Sequence, residues 1–540
     1  MSFDLTLFLA ASNRQISRLP PANRMRCSIM SRLLRALDDA LQSDSVAKVF
    51  DLERWHDAGQ LKADIAAVRA TLFRMGVTSG EQVMVAVPNS YAFVVSYLAC
   101  LYHGAVVVPI NPETPAAELS RVMERFSAQA ALVVAGASDA WAGELEASGF
   151  VKCETNHTDG LSGLSVQSWS LQKAKPGLSA MGEPSDDTPA VLMFTSGTTG
   201  KPKGVLLQHR HLFAAANNVI GSHELTERDV AYCILPLFHI NAQVIVLLST
   251  ILSGGRVVMC DKFHASSFWE DIRRHGVTWV SCVPTILSIL TKLNAPKEAA
   301  KGLRFFRSAS APLTPAIGAR IEAMYDVPVI ESYGMTEAAG QICVNPLPPG
   351  VRKSGSVGKP YGLSLAIVDA DHRPLPAYEL GEIAIRGNNV IEAYVGMEPS
   401  PDEGYGEGWI YTGDLGYQDD DGYVYITGRA KEIINRAGEK LSPREIEDVL
   451  NAHEDVARSA VVGLPDAMYG ERVVAWVVPQ DPDRVQAEAL RESLHELCAT
   501  HLAKHKCPSQ IVIARSLPVN ATGKVQKHIL REIEPRDMLA

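Results

Sequence analysis

Paired cysteines are missing from this 540-residue chain: its nine cysteines lie far apart, and no C-x-x-C occurs anywhere. That spacing excludes a disulfide scaffold and a zinc knuckle and fits buried thiols in a reducing, cytoplasmic compartment. An excess of positive charge is missing too. Lys and Arg total 51 against 61 Asp and Glu, a net charge of −10, which argues against a nucleic-acid footprint. A clean membrane span is absent. No charged residue occurs between Glu81 and Glu113, but Pro88-Asn89, His103-Gly104 and Pro109 cut that stretch into strand, helix and strand lengths. Internal repeats and low-complexity tracts are also absent. The pairs His209/His211 and His501/His505 have no cysteine or carboxylate cluster beside them and read as packing or surface residues.

What is present is an ordinary globular composition, 46% apolar and 21% charged, in a chain too long for one core. Leu61, Ile65, Val68, Leu72 and Met75 recur at helical steps before Gly76, which predicts an amphipathic helix with a glycine stop. A buried strand (83–87), an apolar helix (92–103) and a second strand (105–109) then make a βαβ unit. Further continuous apolar strands are expected near 131–134, 190–194, 256–260, 278–283 and 327–331, the pattern of sheets covered by helices on both faces. Residues 152–188 read as a loose loop. After Asn345-Pro346-Leu347-Pro348-Pro349-Gly350 the runs become short and β-like. From Lys431 onward, helices at 442–451 and 484–501 alternate with strands at 459–462 and 473–478. The expected fold is α/β. Its parts are a large domain over 45–430 with a β-rich subdomain at about 345–430, then a small mobile α+β domain over 431–540.

Residues 1–44 are expected to form an N-terminal extension. Between Asp4 and Asp38 there is no acid but six arginines. Two readings stand, an organelle presequence or an overlong start with Met30 as the first residue.

The stretch around which the chemistry gathers is Thr195-Ser196-Gly197-Thr198-Thr199-Gly200-Lys201-Pro202-Lys203-Gly204, placed directly after an apolar strand. Glycines, hydroxyls and two lysines on such a loop present N–H, O–H and ammonium groups to a polyanion, which is the chemistry of a phosphate cradle. It is not a Walker loop, because only two residues separate Gly197 from Gly200. At this loop the chain resembles the AMP-forming adenylating superfamily of acyl-CoA synthetases, peptide-synthetase adenylation domains and luciferases. The resemblance extends from about residue 45 to 530.

Other segments carry the same resemblance. Glu331-Ser332-Tyr333-Gly334-Met335-Thr336-Glu337 combines a ring able to stack on a purine, a hydroxyl for phosphate and a carboxylate for Mg²⁺. The family assigns those roles to the residues matching Tyr333, Thr336 and Glu337. Ser308-Ala309-Ser310-Ala311-Pro312 matches the segment that packs against adenine, with Ala309-Ser310 where a glycine pair is usual. Asp414 in Tyr411-Thr412-Gly413-Asp414 resembles the carboxylate that accepts the ribose hydroxyls, and Arg429 the arginine that joins it. Lys431 falls at the family's hinge. Gly438 belongs to a segment bordering the pantetheine tunnel. Lys524 matches the lysine that bridges the substrate carboxylate and the α-phosphate.

His239, in Leu235-Pro236-Leu237-Phe238-His239-Ile240-Asn241, lines the acyl pocket by the same resemblance. It stands where enzymes activating α-amino acids carry an aspartate, and an imidazole cannot supply that fixed negative charge. The implied activity is ATP- and Mg²⁺-dependent conversion of a carboxylic acid to an acyl adenylate, followed by thioester formation with coenzyme A. An adenylating ligase serving a carrier protein or other acceptor is the alternative. The nearest-looking branch is oxalyl-CoA-synthetase-like, from the segments 439–445 and 345–349. Two histidines of that branch are Leu287 and Asn241 here, losses that point to an acid more apolar than oxalate.

Overall fold

The computed structural model describes residues 30–153, 165–171, 182–195, 203–293, 295–397, 405–406, 408–519 and 525–536. Among the described residues the strands form four sheets. A nine-stranded sheet carries the parallel run Val329–Tyr333, Phe305–Ser308, Trp279–Cys282, Val230–Cys233, Arg256–Met259 and Ala47–Asp51. A seven-stranded sheet holds Gln82–Ala86 between Ala128–Val134 and Val106–Pro109, all parallel, and ends on the antiparallel pair Pro189–Thr195 and Lys203–Gln208. The two sheets are covered as their unbroken apolar strands require: the helix Tyr91–His103 is buried on nearly every side. Among the described residues no helix is long and apolar enough to cross a membrane.

A five-stranded sheet includes Gly381–Arg386, Trp409–Gln418 and Val424–Arg429. The last sheet is built on the long antiparallel pair Val456–Asp466 and Gly470–Pro479. It has helices Pro443–Asn451 and Ala487–His501 and its own apolar clusters, one around Ile446, Val473 and Val477 and the other around Trp476. The fold is therefore mixed α/β with a β-rich part and a smaller α+β part at the C-terminal side.

Two expectations need correction. Helix Arg32–Ala40 is packed into the main core, ahead of residue 45. Helix Arg32–Ala40 is capped by Ser31 Oγ, which accepts the Leu34 amide at 3.2 Å, and it buries Leu33, Leu34 and Leu37 in the main core. The arginines drew the reading toward a leader, whereas the leucine stripe between them decides the packing. Residues 1–29, on which the presequence reading rests, lie outside the described residues. The expected loose loop at 152–188 contains a strand, Val166–Leu171, antiparallel to Ala128–Val134. Its Trp169 is buried, and Trp169 Nε1 donates to Ser138 Oγ at 3.0 Å.

Candidate active site

The parallel strands of the nine-stranded sheet run out together at Cys233, Cys282, Ser308 and Tyr333, and ligands of open α/β sheets bind at such carboxyl-terminal edges. The Tyr333 hydroxyl donates to Asp414 Oδ2 at 2.6 Å, and Arg429 Nε donates to Asp414 Oδ1 at 2.9 Å. Burial, then the adjacent Asp414 charge, holds the Tyr333 phenol protonated and therefore a donor. The Asp414 carboxylate is buried while the Arg429 side chain is half-exposed. The structure thus joins a purine-stacking candidate to the ribose-binding candidate across 81 residues of chain.

Gly334 follows because no other residue fits: a Cβ there would stand 1.7 Å from the carbonyl oxygen of Gly340. That close approach turns Thr336–Ala338 into one 3₁₀ turn and points Glu337 inward, where it is 5% exposed. Tyr394 Oη donates to Glu337 Oε1 at 3.0 Å, and Thr195 Oγ1 reaches the same oxygen at 3.5 Å. Lys203 Nζ lies 4.7 Å from the Tyr394 ring centroid. Thr195 and Lys203 are paired across the two antiparallel strands, so the two ends of the 195–203 segment meet Glu337 and Tyr394 respectively. Burial raises the Glu337 carboxyl above its ordinary value. A buried carboxylate met by hydroxyl oxygens is a hard-oxygen donor set, and it fits Mg²⁺. Ser196, Gly197, Thr198, Thr199, Gly200, Lys201 and Pro202 lie outside the described residues.

Ser310 has a φ of 71° and is exposed, so a serine stands in the left-handed region that favours the glycine expected there from the resemblance. Ala311 and Pro312 follow it at the mouth of the same edge. Glu331 Oε1 accepts the Leu313 amide at 3.3 Å and fastens this segment to the neighbouring strand. Burial pushes the Glu331 carboxyl up to about 7, against the pull of Arg444.

His239 is half-buried with its ring edge-on to Phe238, 4.4 Å between centroids. Asn89 holds its loop: Nδ2 donates to Leu235 O at 2.8 Å and Oδ1 accepts the Leu237 amide at 2.7 Å. A π-helix, Asn241–Leu248, continues from that loop, a form frequent at functional sites. Sequence reasoning passed over Asn89, Glu331 and Tyr394 as positioning groups. Asn89 stood directly after Pro88 at a strand end, which was the one available signal.

Lys431 stands in the 3₁₀ turn Ala430–Glu432, immediately after Arg429. Ala437 and Gly438 both have positive φ, 55° and 90°, and form the two-residue turn of a hairpin between Ile434–Arg436 and Glu439–Leu441. The Gly438 amide donates to Asn435 Oδ1 at 3.1 Å, within the small sheet rather than toward Tyr333 or Asp414. Lys524 lies outside the described residues. Its flanks Val519 and Val525 pair as an antiparallel bridge, and Lys527 is clamped by Glu447 at 2.7 Å and Glu432 at 3.1 Å.

With this geometry in place, the comparisons with known proteins agree with it. The sequence profile of the AMP-binding enzyme family matches residues 38–395, and that of the AMP-binding enzyme C-terminal domain matches residues 445–524. The chain belongs to the AMP-binding enzyme family. It is 38% identical over 474 residues to a sulfoacetate–CoA ligase of Cupriavidus necator, covering 87% of this chain and 91% of that protein. It is 35% identical over 467 residues to an oxalate–CoA ligase of Arabidopsis thaliana, covering 85% and 89%. Among solved structures, ATP-bound MatB from Rhodopseudomonas palustris superposes with a TM-score of 0.83 at 28% identity, covering 93% of this chain and 99% of that one.

Proposed function

We propose that this protein is an AMP-forming acyl-CoA synthetase. A carboxylate is a poor acyl donor because oxide would have to leave. Attack of the carboxylate oxygen on the α-phosphorus of ATP forms an acyl–phosphate bond and breaks the bond to pyrophosphate, which departs. The thiol of coenzyme A then adds its sulfur to the acyl carbon, the C–O bond to AMP breaks, and the thiol proton is lost. The observation that carries the reading is the Tyr333–Asp414–Arg429 tie at the edge of the parallel strands.

In this reading Tyr333, with Ser310, Ala311 and Pro312, borders the adenine, and Asp414 with Arg429 receives the ribose hydroxyls. Thr336, Lys201, Lys203 and the hydroxyls of the 195–200 segment bind the phosphates. Glu337 is the residue that would hold Mg²⁺, which neutralises phosphate charge when bound. Tyr394 and Thr195 orient that carboxylate. His239 lies between the acid and the thiol entry, Lys431 is the hinge, and Gly438 belongs to the entry after rotation. Lys524 bridges the attacking carboxylate and the phosphate. Coenzyme A as acceptor is supported by the names of the two relatives above, a sulfoacetate–CoA ligase and an oxalate–CoA ligase.

The test is pyrophosphate release over a panel of carboxylic acids with ATP and Mg²⁺, with and without CoA, alongside Lys524→Ala. Expected is acid-dependent release that turns over only with CoA and falls by at least about 100-fold in the variant. Release indifferent to CoA would move the acceptor to another thiol or amine.

A further inference from the structure

Arg307 is the second-to-last residue of strand Phe305–Ser308 and is 1% exposed. Two other buried charges in this part of the fold are neutralised by an ion pair: Asp229 pairs with Arg304 at 2.6 Å, and Asp414 with Arg429 at 2.9 Å. Among the described residues no carboxylate pairs with Arg307. Its Nη1 donates to Ser281 Oγ at 3.2 Å, and its Nε finds no acceptor. The groups around it are neutral. Burial pushes the neighbouring Cys282 thiol up to about 12, and burial together with the Arg307 charge keeps His223 unprotonated. Burying a guanidinium without a counter-charge costs several kcal/mol, and an anion placed there recovers much of that cost.

The location decides which anion. Arg307 sits opposite Ser281 on the adjacent parallel strand. Ser281 Oγ donates to Asn241 Oδ1 at 3.1 Å. Asn241 opens the π-helix and is half-exposed, two residues from His239. Arg307, Ser281 and Asn241 therefore form a polar chain leading from the buried guanidinium to the His239 loop, which in the synthetase reading lines the acyl pocket. An apolar chain directed here would leave the guanidinium without an acceptor, whereas a carboxylate or sulfonate would satisfy the planar N–H fork of an arginine.

We propose that Arg307, oriented by Ser281, is the specificity-determining residue of the acyl pocket and selects a carboxylic acid bearing a second anionic group at its far end. This rests on the synthetase reading above. It departs from the apolar acid that the losses at Leu287 and Asn241 suggest, because the cation on the neighbouring strand takes over the role those histidines vacate.

The experiment compares kcat/KM for matched acids of two to four carbons, each with and without a terminal carboxylate or sulfonate, in the full-length protein and in Arg307→Gln and Ser281→Ala. The carboxylate and sulfonate arms report which anion the site prefers. Expected is a preference on the order of 100-fold for the doubly anionic acids in the wild type. Arg307→Gln abolishes that preference while leaving the singly charged acids within a few-fold. Ser281→Ala, which keeps the charge and removes the hydrogen bond holding it, raises KM for the doubly anionic acids several-fold with kcat unchanged. A wild type preferring singly charged acids overturns the proposal, as does a parallel loss for both classes in Ser281→Ala and any soluble Arg307→Gln. Absence of acid-dependent pyrophosphate release with every acid would overturn the synthetase reading itself and the proposal with it.

Discussion

The hydroxyl of Tyr333 and the carboxylate of Asp414 are joined by a 2.6 Å hydrogen bond that spans two sheets, from the last residue of a parallel strand to the middle of Trp409–Gln418. Because Asp414 also takes Arg429 Nε, one carboxylate aligns the ring on one side and the end of strand Val424–Arg429 on the other. Removing the Tyr333 hydroxyl leaves the ring but frees an acceptor that Arg429 still neutralises. Tyr333→Phe should weaken AMP binding about 3- to 10-fold by calorimetry, and Asp414→Ala about 10- to 100-fold. Equal, small effects of both would sink the ribose assignment.

Glu331 makes the protein's stability depend on pH. Its carboxyl titrates at about 7 in the folded state, against about 4.3 in an unfolded chain. Between those values the folded protein binds the extra proton, so stability falls as pH rises through that window, by about 1–4 kcal/mol. The thermal midpoint of the wild type should therefore drop between pH 5 and 8 more steeply than that of Glu331→Gln. Parallel slopes would show that Glu331 is not the titrating group.

Gly334→Ala should be among the most damaging small substitutions. The added carbon meets the backbone of Gly340 rather than the end of a flexible side chain, so relief requires moving the turn that carries Thr336 and Glu337. A cost of roughly 3–5 kcal/mol is expected, read as a lowered thermal midpoint together with lost activity.

Glu337→Gln keeps the shape and the Tyr394 contact but removes the charge. The Mg²⁺ concentration for half-maximal pyrophosphate release should rise at least about tenfold, and a chelator should stop release in both proteins. An unchanged Mg²⁺ requirement would place the ion elsewhere.

Much of this was legible in the sequence. The helix at 61–75, the buried strands and the signature segments are local patterns, and local patterns survive folding because period and turn chemistry act over a few residues. Strand ends moved by a few positions, as with the expected 327–331 and the observed Val329–Tyr333. The strand Val166–Leu171 is not legible locally because Gln167, Ser168 and Ser170 break its apolar run without a period of two, and its partner Ala128–Val134 supplies the burial. Arg307 was unremarkable in the sequence, since nothing in the residues beside it reveals that no carboxylate will face it.

The sequence by itself determined which residue types stand at each strand end: a hydroxyl- and lysine-rich loop, a tyrosine, two acids and an arginine. Those identities follow from the chain alone. Only the tertiary structure decided their partners, because the distances that matter join Tyr333 to Asp414, Glu337 to Tyr394 and Asn89 to Leu237 across 81, 57 and 148 residues. Charge and burial are likewise properties of the packed state. A guanidinium becomes a demand for an anion only when the sheet has closed over it and left it without one.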